Sequence, residues 1–226
     1  MGSAGAGKSR RMPREVRERQ MMDAAVATFG QRGYRAASMD EIAELAGVSK
    51  PLVYLYLNSK EELFTACIRR EADALLAAVR AGVVERGIAP DQQLWAGLTA
   101  FFAHTAEHPD AWSVLYRQAR THGERFADEV AGMREELVSF VTGLLREAAR
   151  ATPTSAEPAD LGDRDVVGVA QALVGAAEAL AGWANETPDV TAREAASTLM
   201  NFAWTGLGGL MDGERWSAGN SAVVRR

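Results

Sequence analysis

Apolar residues recur along this chain at intervals of three and four, a period that predicts helices rather than strands. Over 13–30, Met22, Ala25, Val26 and Phe29 fall at i, i+3, i+4 and i+7 and predict a first helix. A long run opens at Lys60 and carries Leu63, Phe64, Cys67, Ala74, Leu75, Ala78 and Val79 to about Val84, with Gly87 and Pro90 predicting its end. From Gln92 to about His104, Leu94, Trp95, Leu98, Phe101 and Phe102 leave no polar side, the mark of a central helix. Pro109 restarts the chain into a helix with Trp112, Leu115, Tyr116 and Ala119 on its stripe. Phe126, Val130, Met133, Leu137, Val141 and Leu144 mark the next. Ala151 to Gly162, with two prolines, Ser, Thr and acids, reads as a mobile loop. A further helix is predicted over 163–183, and a last one from the capping box Thr191 to Glu194. The expected fold is all-α, about nine helices, with no internal repeat.

The densest signal lies between Ser38 and Leu63. Ser38 with Glu41 forms a capping box, and Ile42 with Leu45 gives the short helix behind it an apolar face. Gly47 stands where a residue tolerating positive φ is wanted, and Val48 plugs the turn. Ser49 caps a second helix, in which Pro51 is tolerated because the first turn has no intrahelical partner for its missing N–H. Ser59 with Glu62 opens a third. Helix, glycine turn, helix is the helix-turn-helix plan, whose second helix enters the DNA major groove.

At these residues the chain resembles a known family. Arg17-Glu18-Arg19, Asp23-Ala24-Ala25, Phe29, Gly33-Tyr34, Ala46-Gly47-Val48-Ser49-Lys50-Pro51, Val53-Tyr54, Tyr56 and Ser59-Lys60-Glu61-Glu62-Leu63 are similar to the amino-terminal domain of the TetR family, the tetracycline-repressor-like regulators. The match covers roughly residues 14–64. Beyond Leu63 the resemblance implies architecture: a helical effector-binding domain whose last two helices form a four-helix dimer interface. The implied organisation is a disordered basic tail at 1–12, the helix-turn-helix domain at 13–60, the effector-binding and dimerisation domain at 61–213, and a disordered tail at 214–226.

Charge agrees with that division. The net charge of −5 separates into +4 over residues 1–60 and −9 over 61–226, so the positive charge sits with the helix-turn-helix, as phosphate attraction needs. Only three of the 25 basic residues are lysine, and two of them, Lys50 and Lys60, stand at helix starts where the family uses lysine on DNA. The expected DNA-facing set is Ser38, Ser49, Lys50, Pro51, Leu52, Tyr54, Leu55, Tyr56 and Lys60. The resemblance puts Tyr54 and Lys60 on phosphate. Lys50 has the length to reach a guanine edge, whereas Leu52 and Leu55 depart from the family pattern and offer apolar contact, for instance with a thymine methyl. Leu57 replaces a frequent Phe and is expected in the core.

Other chemistries find little support. Gly2 to Ser9 matches the phosphate-loop pattern, but one methionine precedes it and two arginines and a proline follow, where a buried strand and a helix are required. His104 and His108 have the i, i+4 spacing of two metal ligands and Glu107 or Asp110 could add oxygen, but Pro109, directly after His108, is expected to break the helix there and spoil that geometry. Cys67 is a single thiol on an apolar face, so no disulfide is expected. There is no nucleophile turn of the Gly-x-Ser-x-Gly type, no span of ~20 uninterrupted apolar residues, and no apolar signal core near Met1. The reading is non-enzymatic, without metal or cofactor, off the membrane and cytoplasmic.

Two surfaces complete the expectations. Gly168, Gly175 and Gly182, and Gly206, Gly208 and Gly209, interrupt helical patterns at about 1 kcal/mol each relative to alanine, which suggests close backbone approach. The self-packing set is Ala172, Gly175, Ala176, Ala179, Trp183, Leu199, Phe202, Ala203, Gly206, Leu207 and Leu210, although an alanine- and glycine-rich composition alone gives similar patterns. Aromatic side chains with a few polar groups line ligand pockets between helices. Trp95, Phe102, Trp112, Tyr116 and Phe126, with Met133, His104 and Gln171, are therefore the candidate effector site, core packing being the competing explanation for each aromatic. The functional expectation is a homodimeric, ligand-responsive transcriptional regulator: a repressor released from a palindromic double-stranded DNA operator by a small apolar or amphipathic molecule. The alternatives are an effector-free architectural DNA-binding protein and a helical enzyme or adaptor.

Overall fold

Three side-chain caps begin helices. Ser38 Oγ accepts from Glu41 N, Ser59 Oγ from Glu62 N (both 3.1 Å), and Thr191 Oγ1 from Glu194 N (3.2 Å). At Thr191 the capping box closes, the Glu194 carboxylate accepting from Thr191 N at 2.8 Å. Glu62 instead reaches one residue further back to Asn58 N, and Glu41 turns aside to Arg32. The computed structural model describes residues 13–56, 58–83, 89–151 and 162–211, the side chains of 151, 205 and 207–211 excepted. Both tails, the phosphate-loop look-alike, Leu57, Gly87 and the loop at 152–161 lie outside them.

The described residues form nine helices and no strand: α1 (Arg14–Arg32), α2 (Met39–Leu45), α3 (Lys50–Tyr56), α4 (Lys60–Gly82), α5 (Pro90–Glu107), α6 (Pro109–Ser113, continuing through a π-helical turn Val114–Gln118 into Ala119–Thr121), α7 (Glu124–Ala151), α8 (Asp163–Glu186) and α9 (Ala192–Met211). Pro90 and Pro109 each stand in the first turn of their helices, where the missing N–H costs nothing. Gly33 and Gly47, at φ of +82° and +65°, make the turns after α1 and α2.

The first three helices close over Met21, Ala25, Phe29, Ile42 and Val53, and this core runs without interruption into that of the larger domain through Leu63, Phe64 and Cys67 on α4. There, α5 lies against α4 and α9, α7 against α4 and α8, and α6 against α1. Helix α4 is therefore covered on more than one side: Ile68, Ala72 and Leu76 are buried, while Ala74 and Ala78 on the predicted stripe are half-buried. Met21, off the expected stripe, is buried while Met22 packs half-buried against the same core, and Leu45, expected inward, is 61% exposed.

By length and composition α8 alone among the described helices is apolar enough to cross a bilayer. Its Glu178, one turn past the midpoint, is buried and ion-paired to Arg120 and Arg134 at 3.0 and 3.4 Å. Cys67 is wholly buried, and desolvation pushes its thiol up to about 12, so it is inert.

Candidate nucleic-acid interface and effector cavity

Val53 is completely buried, and this fixes the rotation of α3. The opposite side then presents Pro51, Tyr54 and Leu55, with Leu52 half-buried beside them. Leu55 is 78% exposed. The Ser49 carbonyl accepts from Leu52 N and Val53 N and starts the helix, while Ser38 is engaged in capping α2. Lys50 does not project freely: its Nζ donates to Asp40 Oδ2 at 2.8 Å, and that hydrogen bond raises the ammonium pKa. Lys60 is also held, Nζ donating to the Arg35 carbonyl at 3.2 Å and lying 4.8 Å from the centre of the Tyr34 ring. Partial burial lowers its pKa. Tyr56 lies beneath the Arg14 guanidinium at 5.2 Å. Sequence reasoning missed Arg14 and Asp40 as neighbours of this face, since both contacts join separate helices and have no sequence period.

The DNA-binding helices are docked to the larger domain at two places. One is α4 itself. The other is α6, where Ser113 Oγ donates to the Gly30 carbonyl at 3.0 Å, Gln31 Nε2 to Asp110 Oδ2 at 2.9 Å, and Tyr34 N to Gln118 Oε1 at 3.2 Å. A side chain at Gly30 would collide with the Asp110 backbone at 2.7 Å. Between the two attachments, Phe64 packs its ring 4.8 Å from Phe29, 4.7 Å from Tyr34 and 4.9 Å from Phe126.

An apolar cavity of about 70 Å³ lies elsewhere, at the end of the larger domain remote from α3. Val79 of α4 and Val83 just past its end, Leu94, Gly97, Leu98 and Phe101 of α5, Leu137, Phe140, Val141, Leu144, Leu145 and Ala148 of α7, and Leu173, Val174 and Ala177 of α8 line it, with Pro90 and Gln93. None of the eight residues named as effector candidates is among them. Phe126 belongs to the aromatic junction, and Phe102 is 1% exposed in the core. Trp112 stacks on Tyr116 at 5.0 Å, and Trp95 lies 6.0 Å from the Arg193 guanidinium. His104 packs against His108 with ring centroids 4.6 Å apart, its pKa lowered by burial and then by that neighbour. Contrary to expectation, Pro109 does not part the two rings, because His108 N still donates to the His104 carbonyl at 3.0 Å, although no group of three or more His, Cys, Asp or Glu able to hold a metal occurs among the described residues. Met133 borders a polar groove between α4 and α7, and Gln171 accepts from Arg134. Phe102, Trp112 and Phe126 are core side chains, whereas Trp95 and Tyr116 are half-buried; the cavity wall is mostly aliphatic, and its leucines and valines read in the sequence only as helix stripes.

The α8–α9 surface is a shallow apolar groove lined by Val169, Ala172, Leu173, Ala176, Leu199, Phe202, Ala203 and Gly206. Phe202 is 76% and Trp183 52% exposed, and Ala172, Ala179 and Gly206 are exposed with them. Gly175, Ala176 and Ala203 are half-buried. Leu199 departs from the expectation: it is buried within the chain's own core. The side chains of Leu207 and Leu210 lie outside the described residues. Gly168 and Gly206 face open space, but at Gly182 an added Cβ would meet Tyr116 at 3.0 Å, an approach made inside the subunit.

Comparison with known proteins agrees with this fold. Residues 21–67 match the family model described as bacterial regulatory proteins, tetR family, and residues 90–206 match the tetracyclin repressor-like C-terminal domain. The HTH-type transcriptional activator FasR of Mycolicibacterium smegmatis is 31% identical over 212 residues, covering 91% of this chain and 89% of that protein. A TetR-like transcriptional regulator from Rhodococcus sp. RHA1 superposes with a TM-score of 0.73 at 39% identity, covering 88% of this chain and all of that one. The regulator FadR from Bacillus subtilis, solved in complex with stearoyl-CoA, has the same fold at a TM-score of 0.61 and 17% identity, covering 88% of this chain and 100% of that one.

Proposed function

The chain belongs to the tetR family of bacterial transcriptional regulators, and we propose that it acts as a homodimer released from a palindromic operator by an amphipathic molecule with a long aliphatic chain. The observation that carries this reading is the course of α4. Lys60 at its start lies beside α3, and Val79, about 29 Å further on at 1.5 Å per residue, forms part of the cavity wall. The wall is apolar except at Gln93, with Phe101 and Phe140 among aliphatic side chains, which suits an acyl chain and supplies no charged partner for a buried charge. At about 70 Å³ the cavity is much smaller than the ~300–1,000 Å³ of drug-sized sites. A chain can enter only if α4, α5, α7 and α8 part, and moving α4 changes the distance between the two recognition helices, which must sit about 34–36 Å apart on the operator. The FadR neighbour holds a long acyl chain in the same fold, which favours this ligand class.

Release from an operator overlying a promoter gives repression lifted by ligand; release from an upstream operator gives the opposite sign, consistent with the activator name of the M. smegmatis relative. Coupling of this type is typically about 1–3 kcal/mol and reciprocal, so operator DNA weakens the ligand by the same factor. Stearoyl and shorter acyl thioesters titrated against tryptophan fluorescence, with and without operator, test it. Equal affinity in both titrations rules a compound out as effector, and no binding across the series favours the effector-free reading.

Val174→Phe fills the cavity from α8, where Val174 is buried. It is expected to keep operator affinity within about twofold while abolishing the acyl response, at about 1–3 kcal/mol of overpacking. Retained response would place the ligand elsewhere. Lys60→Ala removes one phosphate partner per subunit: binding should weaken about equally for all sequences, and the slope of log affinity against log salt should fall by roughly one per subunit. A changed sequence preference at unchanged salt dependence would contradict that role.

A further inference from the structure

Helix α3, Lys50-Pro-Leu-Val-Tyr-Leu-Tyr56, contains no Arg, Asn, Gln, Asp, Glu or His. Arg, Asn and Gln pair two hydrogen bonds with a base edge, as Lys can with guanine, and Asp and Glu accept from cytosine. Its one charged residue, Lys50, is bonded to Asp40 at 2.8 Å, and Tyr56 is beneath Arg14. Val53 is buried in the core. What remains outward is Pro51, Tyr54 and Leu55, of which Leu55 is the largest fully apolar group and, at 78%, the most exposed large hydrophobic residue among those described. A side chain of this kind gains nothing from the polar edges of the major groove floor. The one apolar group presented there is the thymine 5-methyl.

We propose that Leu55 reads a thymine methyl in each operator half-site, so that methyl contact, and not bidentate hydrogen bonding, carries the sequence discrimination at that position. The proposal rests on the reading of this chain as an operator-binding regulator and adds the specificity element to it.

The test uses operators enriched by the full-length protein from a random duplex library. Each thymine of the half-site is replaced singly by deoxyuridine, which removes the methyl and leaves base pairing intact. Burying one methyl-sized group is worth about fourfold in affinity, and both half-sites together about fifteenfold. One thymine position is expected to show that loss with the native protein. Leu55→Ala, an exposed change that should leave folding intact, is expected to bind the thymine and uracil operators equally, while Leu52→Ala keeps the penalty. The assignment is overturned if no thymine is methyl-sensitive, if Leu55→Ala retains the penalty, or if Leu52→Ala alone removes it. A protein that enriches no sequence fails as an operator-binding regulator and takes the proposal with it. Enrichment without a methyl-sensitive thymine leaves the regulator standing and removes only the role of Leu55.

Discussion

Phe64→Ala is expected to cost about 3–5 kcal/mol of stability, more than most single changes elsewhere in the chain. Phe64 is completely buried, and its ring meets Phe29 of α1, Tyr34 of the α1–α2 turn and Phe126 of α7 within 5 Å, centre to centre. Truncation removes the transfer energy of the ring, leaves a cavity, and breaks three aromatic contacts worth about 0.5–1.5 kcal/mol each beyond area. Because the cluster lies between the two attachments of the DNA-binding helices, the variant should also separate the unfolding of that unit from the rest. Urea unfolding at fixed protein concentration, followed by far-ultraviolet dichroism, reads both effects, with Leu55→Ala as an exposed control near zero. A loss below about 1.5 kcal/mol would show that the cluster rearranges to fill the space and is not a rigid joint.

The sequence makes the joint visible in part. Phe29 and Phe64 fall on predicted apolar stripes, and Gly33-Tyr34 on the family pattern, because helical period and turn chemistry are local properties. Their meeting with Phe126 is not local, and neither are the bonds of α6 to Gly30 and Tyr34, which span more than 80 residues. The helix-turn-helix is legible for the same reason: caps at Ser38 and Ser59 and a positive-φ glycine at 47 are decided within a few residues. Lys50 and Lys60 illustrate the limit. Their positions are legible, but their engagement with Asp40 and with the Arg35 carbonyl depends on how separate helices cross. The cavity proposed as the effector site is least legible. An apolar cavity wall and an apolar core use the same residues at the same period, so Leu98, Leu137 and Val141 carry no mark that separates one from the other. Of the aromatic side chains, the more conspicuous signal, Phe29, Phe64, Phe102 and Phe126 are spent on the interior, where rings pack efficiently against one another.

Phe202→Glu should convert the proposed homodimer to a monomer without unfolding the subunit. Phe202 is 76% exposed on α9, at the edge of the apolar groove with α8, so in the isolated chain the change falls within about 0.5 kcal/mol. In a two-fold interface the same position recurs on both subunits. Two unpaired carboxylates then lose their water and face an apolar surface, a penalty of several kcal/mol per ion that the groove has no cation to offset. The dimer dissociation constant is expected to rise about 100-fold or more, measured by sedimentation equilibrium. Operator binding follows from it. Two linked recognition helices gain about 10²–10⁴ over one through effective concentration, and the monomer forfeits that factor while its helix-turn-helix remains intact. The informative pair of measurements is therefore affinity for a full palindrome against affinity for a single half-site. The native protein should prefer the palindrome by that factor and the variant should bind both alike. A variant that still sediments as the native dimer, with its palindrome preference unchanged, would move the subunit contact away from the α8–α9 groove.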